Sequence, residues 1–371
     1  MIDDVYSEGF LIAAGLSPNA MSSNGADSLM TDFQLLKDWI SQGTKNCQTR
    51  RVMKKEIERI IFWANAIRHK GILELTPDDL VNYAIFLGQP KPAEMWISKI
   101  KYPKCNDAWR PFAGPLNEAS RRYALVQIGS FFKWAVRSGL LEFPPTESQE
   151  KPRIVKLMFR PPPLAQEAVA ALFEVINGHV SIKKRLRDNL LLSVLLQTGL
   201  LTSEVVAADL EDVSRDENGA CWIAVKGKNG RLRRLAITPE LFSLVGHCKT
   251  LFLSELEQKI DSPIPLILPL TGKLRRLHSS TVLAIIKNLA RQAMGLLRER
   301  RQCDVAATLA RANGYMLRHS CLASIAATRN VYELKRIAGY KGLGVTEQYY
   351  YCSDNEFHKR IAAWTPAICK Q

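Results

Sequence analysis

Four short segments of this chain gather the side chains that can handle a phosphate. They are Gln197-Thr198-Gly199-Leu200-Leu201-Thr202-Ser203-Glu204-Val205, Val225-Lys226-Gly227-Lys228-Asn229-Gly230-Arg231-Leu232-Arg233-Arg234, Tyr315-Met316-Leu317-Arg318-His319-Ser320, and Ile337-Ala338-Gly339-Tyr340 followed by Thr346-Glu347-Gln348-Tyr349. An arginine keeps its charge at any working pH and presents a planar fork that donates paired hydrogen bonds to phosphate oxygens. A lysine can return a proton to a leaving oxygen. A tyrosine hydroxyl titrates near 10, so it attacks only beside a base or in a strong positive field. Each feature also has a plainer reading. Tyr349-Tyr350-Tyr351 would serve as an aromatic packing cluster, Arg318 as a salt-bridge residue, Lys228 as a solvated turn residue, and Arg298, Arg300 and Arg301 as a solvated helix face. The basic group at 226–234 is either phosphate-facing or an exposed charged hairpin.

The balance of charge favours a polyanion. Lys and Arg number 51 against 36 Asp and Glu, a formal net charge of +15 on 371 residues. Cations near a phosphate backbone release condensed counterions, which makes nucleic acid the default partner. A membrane surface is the weaker option, because no basic amphipathic helix carries a clean Trp/Leu face. No run approaches the ~18 apolar residues that a spanning helix needs. The start, Met1-Ile2-Asp3-Asp4, is acidic where a signal peptide would be basic. The eight cysteines form no C-x-x-C pair, so reduced, buried thiols are expected, with no metal and no cofactor.

Positioning these groups falls to a mostly helical chain. Residues 1–30 read as a flexible arm. Residues 31–141 read as a helical domain. Its long helix spans 48–69, and Thr76-Pro77-Asp78-Asp79 starts another with a capping hydroxyl, a first-turn proline and acids at the positive dipole end. A further helix is expected at about 117–137, with Gly139 ending it. Residues 142–163, rich in proline and basic, read as a linker. In 164–371 the chain alternates helices with two strands, 221–225 and 232–237, around Asn229-Gly230, a strong hairpin signal.

In order and spacing, the four segments resemble the tyrosine recombinases, or phage integrases. The first resembles that family's T-G-x-R-x-S-E turn. The second resembles its G-K-G-x-K-x-R hairpin, and the third its H-x-L-R-H-[ST] helix. The fourth resembles its L-G-H segment and nucleophilic tyrosine. Trp109-Arg110-Pro111-Phe112-Ala113-Gly114-Pro115-Leu116-Asn117 and Ala119-Ser120-Arg121-Arg122 resemble the core-binding domain of a bacterial subgroup. The resemblance implies a mainly α, two-domain architecture: a helical core-binding (SAM-like) domain, then a mixed α/β catalytic-type domain with a small antiparallel sheet, closing as a C-shaped clamp on duplex DNA.

It also implies roles. Tyr349 matches the nucleophile, Arg318 the second arginine and Lys228 the hairpin lysine, with His319 beside them. Lys226, Arg231, Arg233 and Arg234, and in the first domain Arg110, Arg121 and Arg122, would contact DNA. Three positions depart from the pattern: Leu201 stands at the first arginine, Tyr315 at the first histidine and Tyr340 at the later His or Trp. Glu204 matches the acid that buttresses the first arginine, and here no cation is expected opposite it. The implied activity is recombination or integration of a mobile element by a nucleoid-associated cytoplasmic protein, in an assembly of like or related protomers. Its own strand cleavage is impaired, and a non-catalytic DNA-binding subunit is the alternative.

Overall fold

The structure is a computed structural model that describes residues 16, 23–43, 47–146, 163–227, 230, 232–253, 263–270 and 275–350. The chain divides into two compact units, Met1–Val155 and Lys156–Gln371. Of the stretch read as a linker, 147–162 lie outside the described residues.

Unit 1 is helical. It contains α1 (Ser23–Gln42), α2 (Cys47–Trp63, extended by a π turn, Ala64–Arg68), α3 (Pro77–Gly88) and α4 (Glu118–Arg137). Helix α1 begins about two turns before the expected start, inside the stretch read as an arm. Leu29 is buried with Phe33 and Leu36, so the apolar period runs further back than the Ser- and Asn-rich composition suggested, and packing overrides weak propensity. Helix α2 stops where His69 turns left-handed (φ 52°). Helix α3 starts as its sequence predicts. Thr76 Oγ1 accepts from the Asp79 N–H at 3.3 Å, and the Asp79 carboxylate accepts from the Thr76 N–H at 3.0 Å. Arg68 and Lys70 reach the same carboxylate at 2.6 and 3.0 Å. Desolvation pushes this acid up, but the hydrogen bonds from Thr76, Lys70 and Arg68 outweigh it and hold the carboxyl well below its usual range. Around Ile57, Ile60, Phe62, Tyr83, Trp96, Phe112, Phe131 and Phe132 lies an aromatic-rich core.

Unit 2 runs α5 (Gln166–Asn177), α6 (Ile182–Thr198), α7 (Thr202–Ala207), β1 (Val213–Arg215), β2 (Cys221–Lys226), β3 (Leu232–Ile237), α8 (Pro239–Leu253), α9 (Ser279–Glu299), α10 (Cys303–Leu309), α11 (Gly314–Ala326) and α12 (Val331–Ala338). The strands form an antiparallel sheet in the order β1-β2-β3. The β2–β3 register pairs Lys226 with Leu232 and Val225 with Arg233, so the two strands form the expected hairpin with 227–231 between them, whereas a two-residue Asn-Gly turn would pair 226 with 233. Strand β1 was not anticipated; it is three residues long, and two of them are exposed. Alternation along β3 sorts its two arginines onto opposite faces. Leu235 and Ile237 are buried, whereas Leu232, Arg234 and Ala236 are exposed. With a period of two, Arg233 shares the inward face with Leu235 and Ile237.

Candidate active site

Two left-handed glycines frame the site. Gly199 (φ 61°) caps the end of α6, and Gly339 (φ 70°) caps the end of α12. A side chain at either position would be strained. At Gly199 a Cβ would also crowd the Cys321 Sγ, at 3.2 Å. The turn after α6 is thereby pressed against α11.

Arg318, on α11, spans the gap between these caps. It is 3% exposed and donates to the Gly199 carbonyl and, at 2.7 Å, to the Ala338 carbonyl. Its guanidinium carbon lies 5.2 Å from the Tyr340 ring centroid. The next residue, His319, is also buried, and its ring centroid lies 5.4 Å from that of Tyr349. Tyr349 is half-buried against a small cluster that includes Leu322, Leu334 and Ala338. The structure therefore brings Arg318, His319, Tyr340 and Tyr349 to one place. Ser320, next in line, hydrogen-bonds within the fold instead. Its hydroxyl accepts from the Leu164 N–H at 2.9 Å and donates to the Met316 carbonyl at 3.0 Å. Burial pushes the neighbouring Cys321 thiol up to about 12, with a smaller opposing pull from Arg318.

The expectation that Glu204 faces no cation is wrong. Its carboxylate accepts both terminal nitrogens of Arg233, each at 2.8 Å, and one of its oxygens also accepts from the Leu201 N–H at 3.0 Å, capping α7. The pair is buried, with side chains 12% and 7% exposed. Arg233 consequently does not stand out as an exposed DNA contact of the hairpin. Its guanidinium lies under Gly339, where an added Cβ would meet it at 3.1 Å. The sequence carried the clue in the parity of β3, which puts 233 on the face of Leu235 and Ile237.

The remaining expected residues divide. Tyr315 is 56% exposed in the first turn of α11. Lys226 and Arg234 are exposed, and Arg234 stacks on the Trp222 ring at 4.8 Å. Lys228 and Arg231 lie outside the described residues. In unit 1, Arg110 donates to the carbonyls of Glu94, Asp107 and Trp109, tying down its own loop. Arg122 pairs weakly with Glu118 at 3.4 Å. Arg121 lies against Gly88, and its Nε has no partner among the described residues. Sequence reasoning missed a groove of about 580 Å³ in the same unit, lined by Arg51, Lys54, Lys55, Lys99, Lys101 and Tyr102. Its cations come from α2 and from the loop after α3, so sequence order alone does not assemble them. Among the described residues, no group of His, Cys, Asp and Glu could hold a metal ion, and no helix is long and apolar enough to cross a membrane.

The fold is a helical unit followed by a mainly helical unit with a small antiparallel sheet, in which a buried Arg-His pair lies beside a tyrosine. The family model described as "Phage integrase family" matches residues 163–356, just over half of the chain. The chain belongs to the phage integrase family of tyrosine recombinases, proteins of site-specific recombination and integration. It is 26% identical over 297 residues to the tyrosine recombinase XerC of Roseiflexus sp. (strain RS-1), covering 80% of each chain. A second XerC, from Roseiflexus castenholzii, is 34% identical over 118 residues, 32% of this chain and 35% of the relative. Among solved structures the fold is similar to that of XerH site-specific recombinase bound to palindromic difH substrate, with TM-score 0.60, 15% identity, and coverage of 92% of this chain and 96% of that one. It is also similar to the Tn1549 transposon integrase in complex with transposon right end DNA, with TM-score 0.59, 13% identity, and coverage of 90% and 99%.

Proposed function

We propose that this chain binds duplex DNA, in an assembly with like or related protomers, and acts in the recombination or integration of a mobile element with weak strand cleavage of its own. The observation that supports this most is the half-complete site. Arg318, His319 and Tyr349 stand together, while position 201 is Leu and Tyr315 is exposed. In the reaction the Tyr349 hydroxyl gives up its proton to water and its oxygen attacks a DNA phosphorus, forming a 3′-phosphotyrosyl link as the bond from phosphorus to the 5′-oxygen breaks. The 5′-oxygen leaves and takes up a proton, which Lys228 supplies. Arg318 stabilises the charge that gathers on the non-bridging oxygens. Removing one such donor typically slows reaction by ~10²–10³, which is why Leu201 predicts poor cleavage. The basic groove of unit 1 and the hairpin cations would hold the backbone of the DNA, and the protein would reside with the nucleoid in the cytoplasm.

The test begins by selecting the duplex that the protein binds from a random pool, then nicking that duplex near its centre. A denaturant-resistant protein–DNA adduct that is lost in Tyr349→Phe shows cleavage. Sequence-preferring binding without an adduct makes the chain a DNA-holding partner of an active relative, and Leu201→Arg with Tyr315→His then tests whether those two groups alone are missing. Absence of any salt-sensitive DNA binding refutes the reading.

A further inference from the structure

We propose that Arg233 contacts the same DNA phosphate as Arg318, entering the site from strand β3 and supplying the second guanidinium that position 201 lacks. This rests on the proposed DNA-binding function and sharpens it.

Three observations converge. The first is location. Arg318 holds the Ala338 carbonyl, and Arg233 lies directly under Gly339, the next residue. Both side chains also reach the turn that carries Leu201: Arg318 through the Gly199 carbonyl, Arg233 through Glu204. Two guanidinium groups therefore span the same gap between the end of α6 and the end of α12. The second is charge. Both arginines are largely buried, and Glu204 is their one acidic partner among the described residues. The groups that Arg318 donates to, the Gly199 and Ala338 carbonyls, are neutral. A buried, uncompensated cation is costly unless something anionic joins it, so this corner favours an anion. The third is donor supply. A guanidinium has five N–H groups. Glu204 engages both terminal nitrogens of Arg233, whereas its Nε is buried without a partner among the described residues. The carboxylate fixes the plane of the fork and takes one N–H of each terminal nitrogen, so the second N–H of each is left for a phosphate while the buried Nε stays beneath Gly339.

A structural ion pair would look similar in a static view, and paired neutralisation separates the two. The probe is the duplex selected from the random pool, titrated at several salt concentrations with wild type, Arg233→Lys, Arg233→Met and the double variant Glu204→Gln/Arg233→Met, each checked by thermal unfolding. If Arg233 meets a phosphate, the double variant stays deficient. Its log-log salt slope falls by about 0.9, the value of one lost phosphate contact. Its affinity drops about ten- to a hundred-fold, as expected for a lost charged hydrogen bond. Arg233→Lys keeps the charge opposite Glu204 and is expected to keep the slope while losing up to about ten-fold in affinity. If the pair is only structural, removing both charges leaves no orphan, and the double variant regains wild-type affinity and slope; that result overturns the proposal while DNA binding stands. Wild-type protein that binds the duplex without salt dependence overturns both.

Discussion

Gly314→Ala should loosen the site from a distance, through a single methyl group. Gly314 opens α11, and an ideal Cβ there would fall far inside the contact distance of the Cγ2 of Thr202, the first residue of α7. Ordinary contact begins at 3.4 Å, so one helix must retreat by roughly an ångström or the threonine must rotate. A β-branched side chain in a helix has few χ1 wells to move into. Overpacking of this kind costs ~1–3 kcal/mol, partly offset by the ~0.4–1 kcal/mol gained when a glycine loses its unfolded freedom. The net expectation is a loss of about 1–2 kcal/mol. Arg318 lies one turn further along α11 and bonds to the carbonyl of Gly199, just before α7, so DNA affinity should fall as well. Urea unfolding of Gly314→Ala, Thr202→Ser and the double variant measures this, with Gly295→Ala as the control. Gly295 sits in α9 with nothing within 4 Å of its added Cβ, and the change should stabilise by ~0.5–1 kcal/mol. Serine removes the offending methyl, so the double variant should recover most of the loss. A Gly314→Ala protein as stable as its parent, or no recovery with Thr202→Ser, refutes the packing account.

Three further outcomes are expected. Burial pushes the Asp32 carboxyl up to about 6, against hydrogen bonds from the Ile72 N–H and Asn65. Folding thus favours its protonated form, and this contribution is complete below the unfolded value near 4 and lost as pH rises through 6. The stability of wild type relative to Asp32→Asn should fall by about 2–3 kcal/mol between pH 4 and 7; equal pH profiles in urea titrations would sink the idea. Cys248 and Cys321, both pushed up to about 12 by burial, should resist a maleimide until the protein unfolds, while exposed Cys105 and Cys303 react at once; peptide mapping of the labelled protein decides. Gly339→Ala forces a side chain into a left-handed position and against the Arg233 guanidinium, so it should cost at least ~1–2 kcal/mol in thermal unfolding and weaken DNA binding, and an unchanged melting curve would contradict the strain.

Local chemistry made much of the fold legible. Asn229-Gly230 between two alternating runs marked the hairpin, though not its register, and Thr76-Pro77-Asp78-Asp79 marked the start of α3, because turns and caps are decided by a few adjacent residues. The spacing of Arg318, Gly339 and Tyr349 likewise anticipated the cluster that the structure brings together. What escaped was held by residues far apart in sequence. Glu204 and Arg233 are 29 positions apart, and only the inward parity of β3 hinted that this arginine leaves the hairpin surface. The early start of α1 escaped for the opposite reason: its residues are poor helix formers, and the burial of Leu29 that settles it comes from packing against the rest of the unit.

The shared carboxylate of Glu204 couples positions 201 and 233. One oxygen caps α7 through the Leu201 N–H and also takes a terminal nitrogen of Arg233, while the other oxygen takes the second terminal nitrogen. An arginine placed at 201 by substitution would meet a carboxylate that already holds Arg233 on both oxygens, so two cations would share one acid. A rescue by Leu201→Arg is therefore best measured beside the same substitution with Arg233→Met, which leaves the carboxylate to the new guanidinium alone.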